Sequence, residues 1–318
     1  MKSSSELFPV SLHKVEILGD LTEDVYLIKH NKDADKSVQI ALSHISKHGE
    51  QGKKGAVVMV HGSFSNRGFW ITRKGLGLAR YLVDLGFDVW LMEHRGHGLS
   101  PRNHDYRKNT LERYVLHDVP AVNDFVQEKT GQLPFWLGHS FGGIMINTAC
   151  AAGILTPDNC AGMVTFGTQI IRRPPYLWLP LSSTLVRMSI NLRGELDGRK
   201  LKIGPENEPA SLVNEYLARH SYFGSWQFKS TQQKLMPAWK EGSGIPLLSF
   251  AAAADKTDPA KYCMRFASLY GGSDKEIVLL GKNKGYSQDY DHVNMVVSKN
   301  AAKEVWPQVG EWLLKHCR

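Results

Sequence analysis

Pro134-Phe135-Trp136-Leu137-Gly138-His139-Ser140-Phe141-Gly142-Gly143 is the stretch on which the reading of the whole chain turns. Residues 134–137 are uncharged and apolar enough for a buried strand, and residues 143–152 are small and apolar in a manner suited to a helix packed on a sheet. Between them lies G-x-S-x-G. A strand that passes directly into a helix must turn sharply at Ser140, which thrusts the hydroxyl outward at the carboxyl edge of a sheet. The flanking glycines fit because side chains there would collide with neighbouring backbone. Without the strand and helix the same five residues would be a tight turn carrying an ordinary serine. In this setting Ser140 is a candidate nucleophile, and the helix after it aims its first N–H groups at the reacting centre.

Outward from the elbow, strands and helices alternate. Ala56–Val60 is a short continuous apolar run ending at His61-Gly62, as expected of a strand buried on both faces of a parallel sheet. A helix over residues 76–85 is closed by Gly86, a strand follows over Asp88–Met92, and a helix over 111–129 is closed by Gly131. Pro120 predicts a kink or break in that helix. Another strand covers Gly162–Phe166, and β-formers at 15–18, 25–29 and 38–44 read as leading strands. From 172 to 244 the alternation gives way to Pro174, Pro175, Pro180, Pro205 and Pro209, to aromatics, and to helix-like runs such as 211–219. It resumes with strand 246–251, helix 259–270, strand 276–280 and helix 302–316. The expectation is an α/β fold with a mostly parallel central sheet flanked by helices. Its core is in two parts, 1–169 and 245–318, around a helical cap inserted at 170–244.

Composition narrows the function classes. A chain of 318 residues, 42% hydrophobic and 22% charged, is ordinary globular protein. No run approaches the roughly 18 apolar residues of a membrane span. The first residues lack the apolar core of a secretory signal, which points to a cytoplasmic protein. Cys150, Cys160, Cys263 and Cys317 form no C-x-x-C pair and read as reduced thiols rather than a zinc site or disulfide framework. Nor is there an Asn-x-Ser/Thr acceptor. The net charge is +8, and residues 168–245 hold eleven Lys/Arg against six Asp/Glu. With no aromatic stacking motif, this basic excess reads as a solvated face and not as a nucleic-acid site. The two histidines of Glu93-His94-Arg95-Gly96-His97-Gly98 have no third ligand at metal spacing, so this is expected to be a loop near the pocket mouth with no metal.

A serine hydroxyl is a poor nucleophile at neutral pH and needs a histidine base, itself held by an acid. In this topology the chain order is Ser, acid, His. His292 follows a loop between the last strand and last helix and can reach back over Ser140, whereas His316 lies beside Lys315 at a helix end. Asp255 stands just past strand 246–251; Asp258 is its rival, with a turn or cap role before helix 259–270 as the alternative. Asp291 adjoins His292, but neighbouring loop side chains rarely face each other. The end of strand Gly162–Phe166 offers no acid. Acyl transfer also passes through an oxyanion. One donor is the Phe141 N–H, and the second comes from His61-Gly62-Ser63-Phe64, with Ser63 preferred, Phe64 as the alternative and His61 bracing the loop. Phe64, His139 and Trp178 are candidate substrate contacts. The aromatic and apolar residues Tyr176, Trp178, Leu179, Leu181, Tyr222, Phe223 and Trp226 would either line an acyl pocket or form the cap's own core.

Taken together, these residues resemble the α/β-hydrolase superfamily over nearly the whole chain apart from the insertion. Gly86-Phe87-Asp88-Val89-Trp90-Leu91, His117-Asp118-Val119-Pro120-Ala121 and Thr130-Gly131-Gln132, with the contexts of Asp255 and His292, resemble the acid lipases. The resemblance implies the α/β-hydrolase fold with a helical cap, a serine esterase or lipase acting on a small-molecule or lipid-like ester, and no cofactor. It also implies oxyanion donors at Ser63 and Phe141. The chain departs from that family at Phe141, where acid lipases usually carry Gln, in the loop after Trp90, and in lacking a secretory signal. An intracellular esterase is therefore the expected member. An acyltransferase or thioesterase would use the same three residues with another acceptor, and a non-catalytic ligand binder would need none of them.

Overall fold

The computed structural model describes residues 5–47, 50–175 and 180–317, with backbone alone over 180–186. Among these residues eleven strands are formed: β1 (Val10–Leu18), β2 (Leu21–Ile28), β3 (Ile40–Lys47), β4 (Ala56–Val60), β5 (Asp88–Met92), β6 (Phe135–His139), β7 (Gly162–Phe166), β8 (Glu195–Leu196), β9 (Glu208–Pro209), β10 (Leu247–Ala252) and β11 (Lys275–Leu280). Nine of them make one sheet in the order β1-β2-β3-β5-β4-β6-β7-β10-β11. The pairs β1/β2, β2/β3 and β3/β5 are antiparallel. Every pair from β5 to β11 is parallel. This is the α/β-hydrolase fold, with a mostly parallel central sheet flanked by helices.

Strand periodicity accounts for the layering. In β4, Ala56, Val58 and Val60 enter one apolar cluster with Trp90, Trp136 and Phe125, while Val57 and Met59 enter a second with Leu91, Leu137 and Trp312. Alternate side chains of a strand point to opposite faces, so a strand covered by helices on both sides must be apolar throughout. At the antiparallel edge the pattern is different. β1 begins at Val10, five residues before the apolar stretch in the sequence, because Ser11 and His13 are solvent-facing there, and beyond them half-buried Lys14 pairs with Glu16. Charged residues on an edge strand discourage pairing with another chain and also mask the strand in the sequence.

Pro120 breaks its helix as expected. Residues Leu111–Arg113 are α-helical, Tyr114–Asp118 form a wider π turn, and the α-helix restarts at Val119–Thr130 with Pro120 in its first turn. The missing N–H of proline is harmless there. Pro307 has the same effect near the end of the chain, where two helices, Lys299–Glu304 and Trp306–His316, replace the single one expected over 302–316.

The insertion between β7 and β10 contains helices Pro180–Arg193, Ala210–Arg219 and Leu235–Glu241 and the β8/β9 ribbon. Helix Leu235–Glu241 faces the core, burying Trp239 beside Phe266 and Trp226. Trp226 also donates from Nε1 to the Thr148 hydroxyl at 3.2 Å. Trp226 therefore packs beneath the cap and not into an acyl pocket, and Tyr222 and Phe223 are 62% and 91% exposed. Tyr176, Trp178 and Leu179 lie outside the described residues, as does the Leu181 side chain. Among the described residues no helix is long and apolar enough to cross a membrane.

Helix Phe141–Ala151 is buried along its whole length and sits very close to the sheet. A Cβ on Gly142 would lie 2.3 Å from the Val60 carbonyl oxygen, and one on Gly138 would lie 2.5 Å from the Gly143 nitrogen. Backbone cannot yield as a side chain can. Gly138→Ala is expected to destabilise the fold by about 2 kcal/mol or more, the upper part of the usual overpacking range, measured by urea unfolding. An unchanged midpoint would contradict this packing.

Candidate active site

At the carboxyl end of β6, Ser140 has φ 52° and ψ −116°, a backbone conformation that ordinary residues rarely adopt. Its N–H donates to the Phe166 carbonyl at 2.8 Å, which ties the turn to β7. The loop after β4 lies against it: a Cβ on Gly62 would come 3.1 Å from the Ser140 Cβ. Three residues past β10, Asp255 presents a carboxylate with almost no exposure. Its Oδ2 is 2.7 Å from Nδ1 of His292, which stands between β11 and helix Asn294–Val297. Ser140 and His292 line one cavity of about 850 Å³, together with Ser63, Phe64, Phe141 and His139.

The hydrogen-bond partners separate the candidate acids. Asp255 Oδ1 accepts the Asp258 N–H at 2.8 Å while Oδ2 meets His292, so this carboxylate is held at both oxygens. Asp258 instead accepts from Gln169 Nε2 at 2.6 Å, and burial pushes its pKa up to about 6. Asp291 caps its own turn, accepting the N–H groups of Val293 and Asn294 at 3.0 and 2.8 Å. Burial works against the imidazolium of His292, but the hydrogen bond and charge of Asp255 outweigh it and hold the pKa above the ordinary value.

Phe64 is excluded as an oxyanion donor, because its N–H donates to Glu208 Oε1 at 2.8 Å. Among the described residues the N–H groups of Ser63 and Phe141 have no such partner. His61 braces the loop as expected, Nδ1–H donating to the Gly62 carbonyl at 2.8 Å and Nε2 accepting the His94 N–H at 3.4 Å. His139 lines the cavity but is almost fully buried. Its ring stacks on Phe69 at 4.4 Å, and its Nε2–H donates to the His292 carbonyl at 2.7 Å. Burial keeps His139 neutral, so it positions the base's backbone. Trp178 is outside the described residues.

Two further placements depart from the sequence reading. The loop Glu93 to Gly98 is not at the pocket mouth: Glu93, His94, Arg95 and His97 are all buried beneath the site. There Arg95 donates from Nε and Nη2 to Asp118 at 2.8 and 2.6 Å and from Nη1 to Asp33 at 2.6 Å, joining the β5 loop to the helical segment at 118. The apolar cavity wall, moreover, is mainly aliphatic, with Ile190, Leu196, Ile203, Leu212 and Leu217 from the insertion.

Glu208 escaped sequence reading altogether. It comes from β9 in the insertion, is 1% exposed, and grips the loop after β4 at Phe64. From the same segment, the Glu206 N–H donates to the Phe64 carbonyl at 3.1 Å and the Glu206 carboxylate accepts from Asn66 at 2.6 Å. Phe64 is thereby held on both sides at φ 59°. His97 Nε2 lies 3.3 Å from Glu208 Oε1, and that charge raises the His97 pKa against the effect of burial.

Residues 55–187 match the family described as alpha/beta hydrolase fold. The chain has the α/β-hydrolase fold, and segments of it are similar to acid lipases. Lipase member K from Homo sapiens is 36% identical over 103 residues, which cover 30% of this chain and 26% of that protein. Gastric triacylglycerol lipase from Homo sapiens is 31% identical over 132 residues, covering 38% and 31%. The matches span about a third or less of these curated relatives. Among solved structures, a soluble variant of monoglyceride lipase from Saccharomyces cerevisiae aligns with a TM-score of 0.64 at 14% identity, covering 100% of this chain and 98% of that one. Monoacylglycerol lipase from Paleococcus ferrophilus gives a TM-score of 0.58 at 18% identity, covering 88% and 99%. At such identities the likeness is one of fold.

Glu208→Ala is expected to slow labelling of Ser140 by a fluorophosphonate about 10- to 100-fold, the scale of a displaced or lost oxyanion donor. Glu208→Gln, which keeps an acceptor for the Phe64 N–H, should recover most of the rate. Equal rates for Glu208→Ala and wild type would refute the clamp.

Proposed function

We propose that the protein is a serine carboxylester hydrolase whose triad is Ser140, His292 and Asp255. The observation that carries this reading is the 2.7 Å hydrogen bond between His292 and Asp255 in a cavity shared with an elbow serine. Ser140 Oγ attacks the acyl carbonyl carbon as His292 Nε2 takes its proton. The C=O π pair moves to oxygen, where the Ser63 and Phe141 N–H groups receive the charge. The tetrahedral adduct collapses, the C–O bond to the alcohol breaks, and His292 returns the proton to the departing oxygen. Water then attacks the acyl-enzyme with the same base, releasing the acid and restoring Ser140. Asp255 holds the tautomer that carries a proton on Nδ1 and stabilises the imidazolium without being protonated itself.

The mostly aliphatic cavity supports an ester with an apolar acyl or alcohol portion. Curated relatives named as lipases point the same way, although their match is partial. A profile over p-nitrophenyl esters of increasing chain length tests the reading. Ser140→Ala is expected to lose at least about 10⁴-fold in kcat, and equal rates for variant and wild type would sink the assignment. Asp255→Asn should fall by about 10⁴-fold through loss of the working tautomer, while Asp258→Asn stays within about tenfold; the reverse order would make Asp258 the acid.

The pH dependence follows from the raised pKa of His292. The base works only when neutral, so kcat/KM should rise with pH through an inflection above the ordinary imidazole value of about 6.5. An inflection well below that value would show that Asp255 does not support the charge on His292.

A further inference from the structure

One wall of the cavity is more polar than an uncharged ester requires. Arg219, the last residue of helix Ala210–Arg219, lines the cavity and is only 5% exposed. Its one ion-pair partner among the described residues is Glu215, one turn back, at 3.5 Å. Glu215 is shared, since its other oxygen accepts the Leu111 N–H at 2.8 Å. A guanidinium has five N–H donors, so most of those on Arg219 are left for the cavity.

The neighbours add positive charge. Arg173 donates to the carbonyls of Ile170, Arg172 and Gly224 and has no carboxylate partner among the described residues. Burial and then Arg219 weaken its hold on its proton, so the two guanidiniums sense each other. Arg172 donates to the Thr257 carbonyl at 2.7 Å and lies near enough to Asp258 to counter part of its charge. His220 donates from Nδ1 to the Arg172 carbonyl, and burial together with these arginines keeps it neutral, with a pKa of about 4. Arg193 also lines the cavity.

Two acids line the cavity: Asp258 is engaged by Gln169 and countered by Arg172, and Glu208 lies elsewhere. Glu208 precedes helix Ala210–Arg219 and is engaged by the Phe64 N–H and His97. The ten-residue helix between it and Arg219 is about 15 Å long at 1.5 Å per residue. The cavity roof therefore has an acidic end committed to the oxyanion loop and a cationic end with donors to spare. Burying an under-paired guanidinium in an apolar pocket is costly unless a ligand completes it.

We propose that this site takes esters bearing a second, anionic group, a carboxylate or a phosphate, and that Arg219 is the residue that selects it. The proposal rests on the ester-hydrolase reading for its chemistry but not for its binding step. A substrate of this class has an apolar body, an ester near Ser140 and an anion toward the end of helix Ala210–Arg219. The basic excess of the insertion then belongs to substrate selection and not to a solvated face alone.

Binding is measured by displacement of an apolar fluorescent probe with decanol, decanoate and decyl phosphate. Wild type is compared with Arg219→Met and with the double variant Glu215→Gln/Arg219→Met, which leaves no orphan carboxylate should the single variant fold poorly. Wild type should bind at least one of the two anions about tenfold or more tightly than decanol, as expected of a charged hydrogen-bonded pair, and the double variant should lose that preference. Preference for decanoate alone assigns a carboxylate-bearing substrate, and preference for decyl phosphate alone a phosphate-bearing one. Equal binding of all three ligands to wild type, or a preference that survives the double variant, overturns the proposal. Hydrolysis of p-nitrophenyl hexanoate and mono-p-nitrophenyl adipate by the same proteins separates the two readings. If neither ester is cleaved but the Arg219-dependent preference persists, the hydrolase reading fails and the anion site stands. If the neutral ester is cleaved and no anion preference appears, the anion site fails alone.

Discussion

The close approach of helix Phe141–Ala151 to β4 and β6 is the constraint on which the site depends. Ser140 occupies a backbone conformation that costs about 1–3 kcal/mol, and it stays there because the structure on both sides leaves no other path. Gly138 and Gly142 let the helix contact the ends of the sheet, and the Ser140 N–H is held by β7. The same contact places the helix N-terminus beside Ser140, so the strain at Ser140, its place on the cavity wall and the position of the Phe141 N–H share one geometric cause. Loosening the turn would relax Ser140 and dissolve that arrangement.

Around this fixed point, charges are held by partners from distant segments. Asp255 reaches His292 over 37 residues of chain, and His139 steadies the His292 backbone from the strand that leads into Ser140. The insertion does more than cover the pocket: Glu208 reaches into the core to hold Phe64, next to Ser63. A displaced cap would therefore disturb the loop after β4 as well as the cavity wall. Arg219 closes the helix that follows Glu208, so one short helix separates the carboxylate that grips the loop after β4 from a buried guanidinium on the cavity wall.

The parts legible in the sequence were those set by local rules. β4, β5 and β7 were plain from continuous apolar runs, and Pro120 marked its own helix break. The elbow was plain because strand, glycines and helix are consecutive. Asp255 and Asp258 could be ranked but not separated, since three residues beyond a strand end the direction of each side chain depends on the turn between them. Glu208 left no local trace, because its partner is 144 residues away. The cap's aromatics left two readings open, a pocket lining or the cap's own core. Trp226 is drawn under the cap by Trp239 and Phe266, and aliphatic residues form much of the wall. β1 was partly hidden because an edge strand can afford a polar face.

The central claim is that Ser140 is made nucleophilic by the His292–Asp255 pair. The most direct measurement is the site and rate of modification by a fluorophosphonate at neutral pH, read by intact mass and peptide mapping on wild type and His292→Ala. One adduct on Ser140, formed rapidly in wild type and at least about 10³-fold more slowly in the variant, is the result this account predicts. An unmodified Ser140 peptide, or equal rates in the two proteins, would contradict it.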